Sequence, residues 1–267
     1  MAPRDPPLIR SRSNALVRRL RELKDRASRE LVLLEGSRLV AEALAAGVEI
    51  LEAAVSPRFR DSRRGQELLR SLEECRATPR TMHEDVLSSL SELTSGEGVL
   101  AIGRRPRFAE PQLYQGVPLI LVAAGIQNPG NLGGLMRTAE AAGGTGAYLA
   151  HGSADPLSWK SLRGSMGSAL RLPHLTGGSL PEILEKLKAR GLRSVAAVPR
   201  AARSYLDVDL RGPVALVVGG EGWGLDEAAL AAIDVQVSIP MRGPVESLNV
   251  GVAAGVLFFE AARQRAK

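Results

Sequence analysis

Leu119-Ile-Leu-Val-Ala-Ala-Gly-Ile-Gln-Asn-Pro-Gly-Asn-Leu-Gly-Gly-Leu-Met-Arg137 passes from an unbroken apolar run, through a glycine-rich turn, into residues spaced as a helix. Such a run reads as a strand buried on both faces, Leu119 to Ala124, followed by a helix from Leu132 to Ala142. The pattern recurs. Further strands are expected at Ala147 to Leu149, Ser194 to Val198, Val214 to Val218 and Val235 to Ile239. A helix from Pro181 to Arg190 opens on Ser179 as N-cap, and a last one, Asn249 to Arg265, places Ala253, Leu257 and Ala261 at helical spacing. Strands alternating with helices imply a mostly parallel sheet covered on both faces.

Two more glycine turns follow the first: Gly219-Gly-Glu-Gly-Trp-Gly-Leu225 and Ile239-Pro-Met-Arg-Gly-Pro-Val-Glu-Ser-Leu-Asn249. Glycine admits positive φ and has no Cβ, so such turns bring backbone groups close to a ligand. One site assembled from three loops is expected. There is no Gly-x4-Gly-Lys-Ser/Thr, hence no P-loop. A Rossmann reading of Gly220, Gly222 and Gly224 needs an acidic residue closing the next strand, where Ser238-Ile239-Pro240 stands, and more βα units than the remaining chain can hold.

Towards the N-terminus, apolar Leu31 to Leu34, a turn at Gly36 and Ser37 and a helix from Arg38 to Ala46 begin a second alternation. It continues with a strand at Ile50 to Val55, helices at Gly65 to Cys75 and Asp85 to Leu90, and a strand at Gly98 to Gly103. This gives an α/β domain over residues 1–105, a proline-broken linker over 106–116 and a larger domain over 117–267. Hydrophobic residues make up 45% of the 267, which suits a globular protein and not a disordered one. No apolar run approaches the ~20 residues that span a bilayer, and the first residues lack the apolar core of a secretory signal. A cytoplasmic protein is expected. Cys75 is the only cysteine and His83, His151 and His174 the only histidines, so neither an internal disulfide nor a metal site is expected.

The formal charge is +6, and residues 1–30 carry nine basic against four acidic residues. Such an arm is either a phosphate-contacting segment or a solvated amphipathic helix with Leu16, Leu20 and Leu23 turned inward. In the first case, deleting Met1 to Arg29 is expected mainly to weaken RNA binding and flatten its salt dependence.

The three loops resemble the signature motifs of the SpoU (TrmH) class of SPOUT methyltransferases: Asn131 to Thr138 the first, Val217 to Leu225 the second, Ile239 to Gly255 the third. Lys160-Ser-Leu-Arg-Gly-Ser-Met-Gly167 resembles a segment between the first two. The N-terminal half, with a basic helix around Asn14 followed by Leu33-Leu-Glu-Gly-Ser-Arg38, resembles the L30e-like substrate-binding domain that often precedes this catalytic domain. The resemblance implies an α/β trefoil-knot fold, a homodimer, and transfer of a methyl group from S-adenosyl-L-methionine to a ribose 2′-hydroxyl of structured RNA. Large-subunit (23S) ribosomal RNA is the preferred substrate and transfer RNA the nearest variant. A non-catalytic RNA-binding assembly factor is the reading from another class.

By resemblance, Gly219, Ile239 and Leu248 line the cofactor pocket; taken singly, the latter two read first as core residues beside sharp turns, a preference that the joint spacing of the motifs reverses. Arg137 is assigned to catalysis. A guanidinium titrates above ~12, which favours gripping the adjacent phosphate and stabilising a developing alkoxide over accepting a proton. Glu221 either accepts the proton or fixes Arg137 or its loop. Ser247 and Asn249 open the last helix, with N-capping as the plain alternative to a catalytic role. Asn14, Arg18, Arg19, Lys24, Asn131, Lys160 and Arg163 are the RNA-contact candidates; Asn131 equally suits a turn, and Lys160 and Arg163 a solvated helix face. Trp223 packs either on cofactor or within its loop. Two positions depart from the usual pattern: Gly220 where many members carry Asn, and Gly251 where many carry Ser.

Overall fold

The computed structural model describes residues 8–91, 98–220 and 224–266. The chain divides into two units, Met1–Pro106 with Leu157–Arg163, and Arg107–Pro156 with Gly164–Lys267.

The first unit runs α1 (Ala15–Asp25), β1 (Leu31–Glu35), α2 (Ser37–Ala45), β2 (Ile50–Val55), α3 (Pro57–Asp61), α4 (Arg63–Glu74), β3 (Pro79–Thr81), α5 (Glu84–Ser88) and β4 (Val99–Arg104). Its four strands order as β1-β4-β2-β3. β4 lies antiparallel to β1 and β2, while β2 and β3 are parallel. This sheet is mixed, not mostly parallel, because β4 comes back between β1 and β2. α1 starts where Asn14 Oδ1 accepts the Leu16 N–H at 2.9 Å, and it buries Leu16, Val17 and Leu20 in the core of this unit. The basic segment is therefore amphipathic as well as charged. Its inward face packs on Leu33, Met82, Leu100 and Ile102, and Leu23 is partly buried against the same core. Upstream of it, Ile9 is buried and exchanges backbone hydrogen bonds with Thr81 and His83.

The second unit begins with a 3-10 turn, Glu110–Tyr114, inside the stretch expected to be a linker. That stretch is anchored: Leu113 is fully buried and the Tyr114 hydroxyl lies 2.6 Å from that of Tyr148. Then come β5 (Leu119–Ala124), α6 (Pro129–Ala141), β6 (Gly146–Leu149), α7 (Trp159–Ser165), α8 (Ser168–Arg171), β7 (His174–Thr176), α9 (Leu180–Ala189), β8 (Arg193–Ala197), β9 (Val214–Gly219), α10 (Glu227–Ala231), β10 (Val235–Val237) and α11 (Val250–Arg265). Only the first five residues of α7's span and the two before them leave this unit, at Leu157–Arg163. Six strands, all parallel, order as β10-β8-β9-β5-β6-β7.

β5 lies at the centre, with Leu121 opposite Ala147 of β6 and Leu216 of β9, and its apolar run is buried on both faces as an inner parallel strand requires. α11 packs on α6 and β9 through Ala254, Leu257, Phe258 and Ala261. Tyr148, Ile183, Leu187 and Ala215 fill the core of the other cluster. Because every strand runs the same way, the loops after β5, β8 and β9 leave from one edge of the sheet, where ligands bind in open α/β folds.

Candidate active site

The first loop is set by its cap. Asn128 accepts the N–H groups of Gly130 and Asn131 at 2.8 and 3.1 Å, Pro129 supplies the first helical residue, and α6 starts three residues earlier than its apolar spacing suggests. Asn131 sits half-buried in that first turn, and Arg137 stands on the exposed face of α6. On the other side of the loop, Ile126 receives bonds at both ends: its N–H donates to Ser153 Oγ at 3.2 Å, and its carbonyl accepts from the Ala154 N–H at 2.8 Å.

The second loop leaves β9 at Gly219 and is closed at its base by the Gly224 N–H donating to the Gly220 carbonyl at 3.1 Å. Glycine is required at both leading positions. A Cβ on Gly219 would fall 2.5 Å from the Gly224 carbonyl carbon, and one on Gly220 would fall 2.4 Å from the Gly125 carbonyl oxygen. Gly220, one of the two departures, thus lets the second loop lie directly against the backbone that begins the first. Glu221 and Trp223 lie outside the described residues. At the other departure, the Gly251 N–H donates to Asn249 Oδ1 at 2.8 Å, so Asn249 caps α11; a Cβ on Gly251 would stand 3.2 Å from that same oxygen.

The third loop is tied to the segment after β8. The Tyr205 N–H donates to the Ser238 carbonyl at 3.0 Å, the Ser238 N–H to Arg203 at 2.9 Å, and the Ser238 hydroxyl to Ala201 at 3.1 Å. Together the second and third loops enclose a cavity of about 520 Å³ at the carboxyl ends of β8 and β9. Gly219, Ile239 and Leu248 line it, and so do Ser247 and Asn249. Arg137 and Asn131 are not among its lining residues.

Sequence reasoning missed Val198 and Pro199 after β8, Met241, and Glu246 within the third motif, all of which line the same cavity. The position of Val198 and Pro199 was readable in principle, because the carboxyl end of every strand in a parallel sheet is a candidate. Glu246 is the one carboxylate among the described lining residues. Ser247 and Asn249 aside, the remaining walls are apolar side chains and bare backbone, a lining that suits a nucleoside with a cationic tail.

The RNA-contact candidates divide by unit. Asn131 belongs to the second unit; Asn14, Arg18, Arg19, Lys24, Lys160 and Arg163 belong to the first. Asn14 is spent on capping α1, Arg19 pairs with Glu52, and Arg18 and Lys160 are exposed. Lys24 donates to the Leu90 carbonyl at 3.0 Å. No group of three or more His, Cys, Asp or Glu residues placed to hold a metal exists among the described residues.

A parallel α/β unit with a glycine-walled cavity at its strand ends, preceded by a separate basic unit, defines a nucleoside-cofactor enzyme that acts on a polyanion. The chain belongs to the SpoU rRNA Methylase family, which it matches over residues 118–259, and residues 14–101 match the MRM3-like substrate binding domain. It is 32% identical to the 23S rRNA (guanosine(2553)-2′-O)-methyltransferase RlmP of Bacillus subtilis, over 91% of this chain and 92% of that one. An RNA 2′-O ribose methyltransferase of known crystal structure is 36% identical and superposes with a TM-score of 0.82, covering 98% of this chain and all of the other. The SpoU methyltransferase AviRb of Streptomyces viridochromogenes, solved in complex with the cofactor AdoMet, is 28% identical with a TM-score of 0.84 over 95% and 98% of the two chains.

Proposed function

We propose that this protein transfers the methyl group of S-adenosyl-L-methionine to a ribose 2′-hydroxyl of 23S ribosomal RNA. The observation that carries the reading is the cavity of about 520 Å³ built from the second and third loops, with Gly219 and Gly220 where a side chain would collide with backbone. Adenosylmethionine bound there supplies an electrophilic methyl group. Ile239 and Leu248 wall the adenine, and Glu246 offers a counter-charge to the cationic tail.

Residues 1–105 grip RNA and residues 117–267 bind donor and carry out transfer. Arg137 holds the phosphate beside the target ribose and stabilises the oxygen as it loses its proton, a role in positioning and electrostatics rather than in proton transfer. Glu221 accepts that proton or orients Arg137. Ser247 and Asn249 fix the start of α11, and Asn131 the start of α6, where the sugar enters. The remaining RNA-contact candidates, Asn14 through its cap on α1 and Arg18, Arg19, Lys24, Lys160 and Arg163 through their charge, serve the grip.

The second unit carries a trefoil knot through which α11 is threaded. What supports this is the seating of α11 on α6 and β9, with Arg265 reaching the carbonyls of Val117 and Gly212 on segments far apart in sequence. The protein works as a homodimer. Val252 and Phe259, each 53% exposed and two turns apart on α11, give the helix an apolar outer stripe that a second copy would cover. No helix among the described residues is long and apolar enough to cross a membrane, in keeping with a cytoplasmic enzyme.

Incubating the protein with tritiated S-adenosylmethionine and unmodified 23S ribosomal RNA, with transfer RNA in parallel, and mapping ribose methylation tests the reading. A single 2′-O-methyl site in the ribosomal transcript is expected. Label on transfer RNA alone would move the substrate, and donor binding without label on any RNA would favour the assembly factor.

A further inference from the structure

Most arginines of the second unit already hold a partner within it. Arg171, Arg190, Arg211 and Arg263 pair with Glu140, Glu110, Asp209 and Glu260, and Arg193 and Arg265 donate to backbone carbonyls. Arg200, Arg203 and Arg242 differ. All three are exposed, and none forms a side-chain hydrogen bond or ion pair among the described residues.

These three stand on two segments that meet at the donor cavity. Pro199 and Met241 line it, and Arg200 and Arg242 come one residue after each. The segment after β8 and the third loop are joined through their backbones: the Ser238 N–H donates to the Arg203 carbonyl at 2.9 Å, the Tyr205 N–H donates to the Ser238 carbonyl at 3.0 Å, and Ser204 and Ser238 form a parallel bridge. The Ser238 hydroxyl adds a bond to the Ala201 carbonyl at 3.1 Å. The two segments thus make one ledge, wholly within the second unit, beside the wall formed by Val198, Pro199, Ile239 and Met241.

Residues 199–206 and 235–245 contain these three arginines and no Asp or Glu. Of the carboxylates that flank them, Asp234 accepts the N–H and hydroxyl of Ser194, Glu246 lines the cavity, and Asp207 forms no ion pair with the three. Like charges with no internal anion to balance them hold a positive potential beside the cavity, which favours a polyanion over a neutral ligand. Because backbone bonds fix both segments, an incoming anion meets guanidinium forks on an ordered frame and not on a loop that must first be ordered.

We propose that this ledge is an RNA-backbone contact of the catalytic unit, with Arg200, Arg203 and Arg242 each meeting its own phosphate of the strand that brings the target ribose to the cavity. They are positioning residues, since phosphate contacts set register and orientation and carry no base sequence. The inference deepens the reading above and rests on it for the identity of the polyanion.

The test uses the full chain and a labelled 23S ribosomal RNA transcript. Affinity across a salt series, single-turnover methylation at limiting and at saturating RNA, S-adenosylmethionine affinity and thermal melting are measured on each variant. Arg200→Gln, Arg203→Gln and Arg242→Gln should each weaken RNA binding by about three- to tenfold and flatten the slope of log affinity against log salt by about 0.7–0.9, and the triple variant should flatten it by about two to three. Rates at limiting RNA should fall with affinity, while the rate at saturating RNA and the donor affinity stay within about twofold and the melting temperature holds. Replacing all three by Lys keeps the charge and should keep the parent slope. Should the triple Gln variant melt early, the single variants and the triple Lys variant still decide the matter. An unchanged slope in the Gln variants, a triple Lys variant whose slope is as flat as that of the triple Gln variant, or a loss of donor affinity that matches the loss of RNA affinity would each overturn the ledge; the last would assign the arginines to the carboxylate of the donor. If the parent protein methylates RNA while the Gln variants keep its slope and affinity, this inference falls and the proposed function stands; if the parent protein neither binds nor methylates RNA, the proposed function falls and the ledge with it.

Discussion

Arg137 is exposed on α6 and outside the lining of the donor cavity, and this position separates its role from that of the pocket walls. Arg137→Ala should therefore lower the rate of transfer by at least about a hundredfold while leaving S-adenosylmethionine affinity within a few fold, as expected for loss of a group that acts on the transition state. Single-turnover methylation and donor titration on the same preparation check both halves, and a variant that loses donor binding first would place Arg137 in the pocket instead. Glu260 gives a second residue-level expectation. Its carboxyl is 7% exposed, accepts two 2.8 Å bonds from Arg263 and another from Gln264, and is held down to about 2, chiefly by the Arg263 bonds. A group whose folded-state value is depressed stabilises the fold above its unfolded value, near ~4.3, and loses that contribution as pH falls towards 2. The stability of Glu260→Gln should thus lie below the parent protein's at pH 7 and converge on it towards pH 2, as read by denaturant melts across that range. At this scale the caps were legible, since Ser179 and the opening of α11 at Asn249 stand where short polar side chains precede helical spacing. Trp159 was not. No periodicity pairs an indole with a carboxylate 124 residues away.

Among the elements, the apolar run of β5 reads correctly because an inner parallel strand must be apolar on both faces, and β2, which lies between an antiparallel and a parallel neighbour, also occupies the range its sequence suggests. β3 and β7, three residues each, were not legible, and neither were α3, α8 and α10, because pieces this short complete no period of their own and exist by pairing and packing. The stretch expected as a linker conceals its buried residue for a related reason. Its prolines and charges hide Leu113, whose burial depends on where Tyr148 and Ile120 lie. Sequence spacing gives α11 its range but not its C-terminal hold, which comes from Arg265 together with Gln264. Arg265 donates to the carbonyls of Leu210 at 2.9 Å, Val117 at 2.9 Å, Pro118 at 3.1 Å and Gly212 at 2.6 Å, joining the segments that lead into β5 and β9. Burial lowers the affinity of this guanidinium for its proton, but it remains charged at any pH at which the protein folds. Arg265→Ala should cost about 2–4 kcal/mol, as several charge-assisted bonds are lost and their acceptors left without a donor. Arg265→Lys should recover part of that loss, since three donors cannot reach four carbonyls. Urea midpoints of the two variants measure this; equal midpoints for alanine and the parent protein would mean that water replaces the guanidinium.

Over the whole molecule, composition and strand–helix alternation bound the fold to two α/β parts, but the meeting of the second and third loops at one cavity, with the first loop outside its lining, follows from strand order, which sequence alone does not print. The basic arm shows what this difference means for experiment. Read as charge, Met1 to Arg29 looks removable; in the structure, Ile9, Leu16, Val17 and Leu20 belong to the first unit's core, each worth about 1.5–3 kcal/mol when fully buried. Their combined loss is comparable to the total stability of a domain of this size, so deletion of residues 1–29 should unfold the first unit rather than merely loosen RNA. The charge can be tested without the core. Arg12, Arg18 and Arg21 are exposed, and converting all three to Gln removes three positive charges while leaving the apolar stripe in place. If each meets one phosphate, the slope of log affinity against log salt for 23S ribosomal RNA should flatten by about two to three, with the melting temperature unchanged. A flattened slope in the triple variant, together with loss of cooperative melting in the deletion, separates the outer face of α1, which carries charge to RNA, from the inner face, which holds the first unit together. An unchanged slope would confine α1 to the second role.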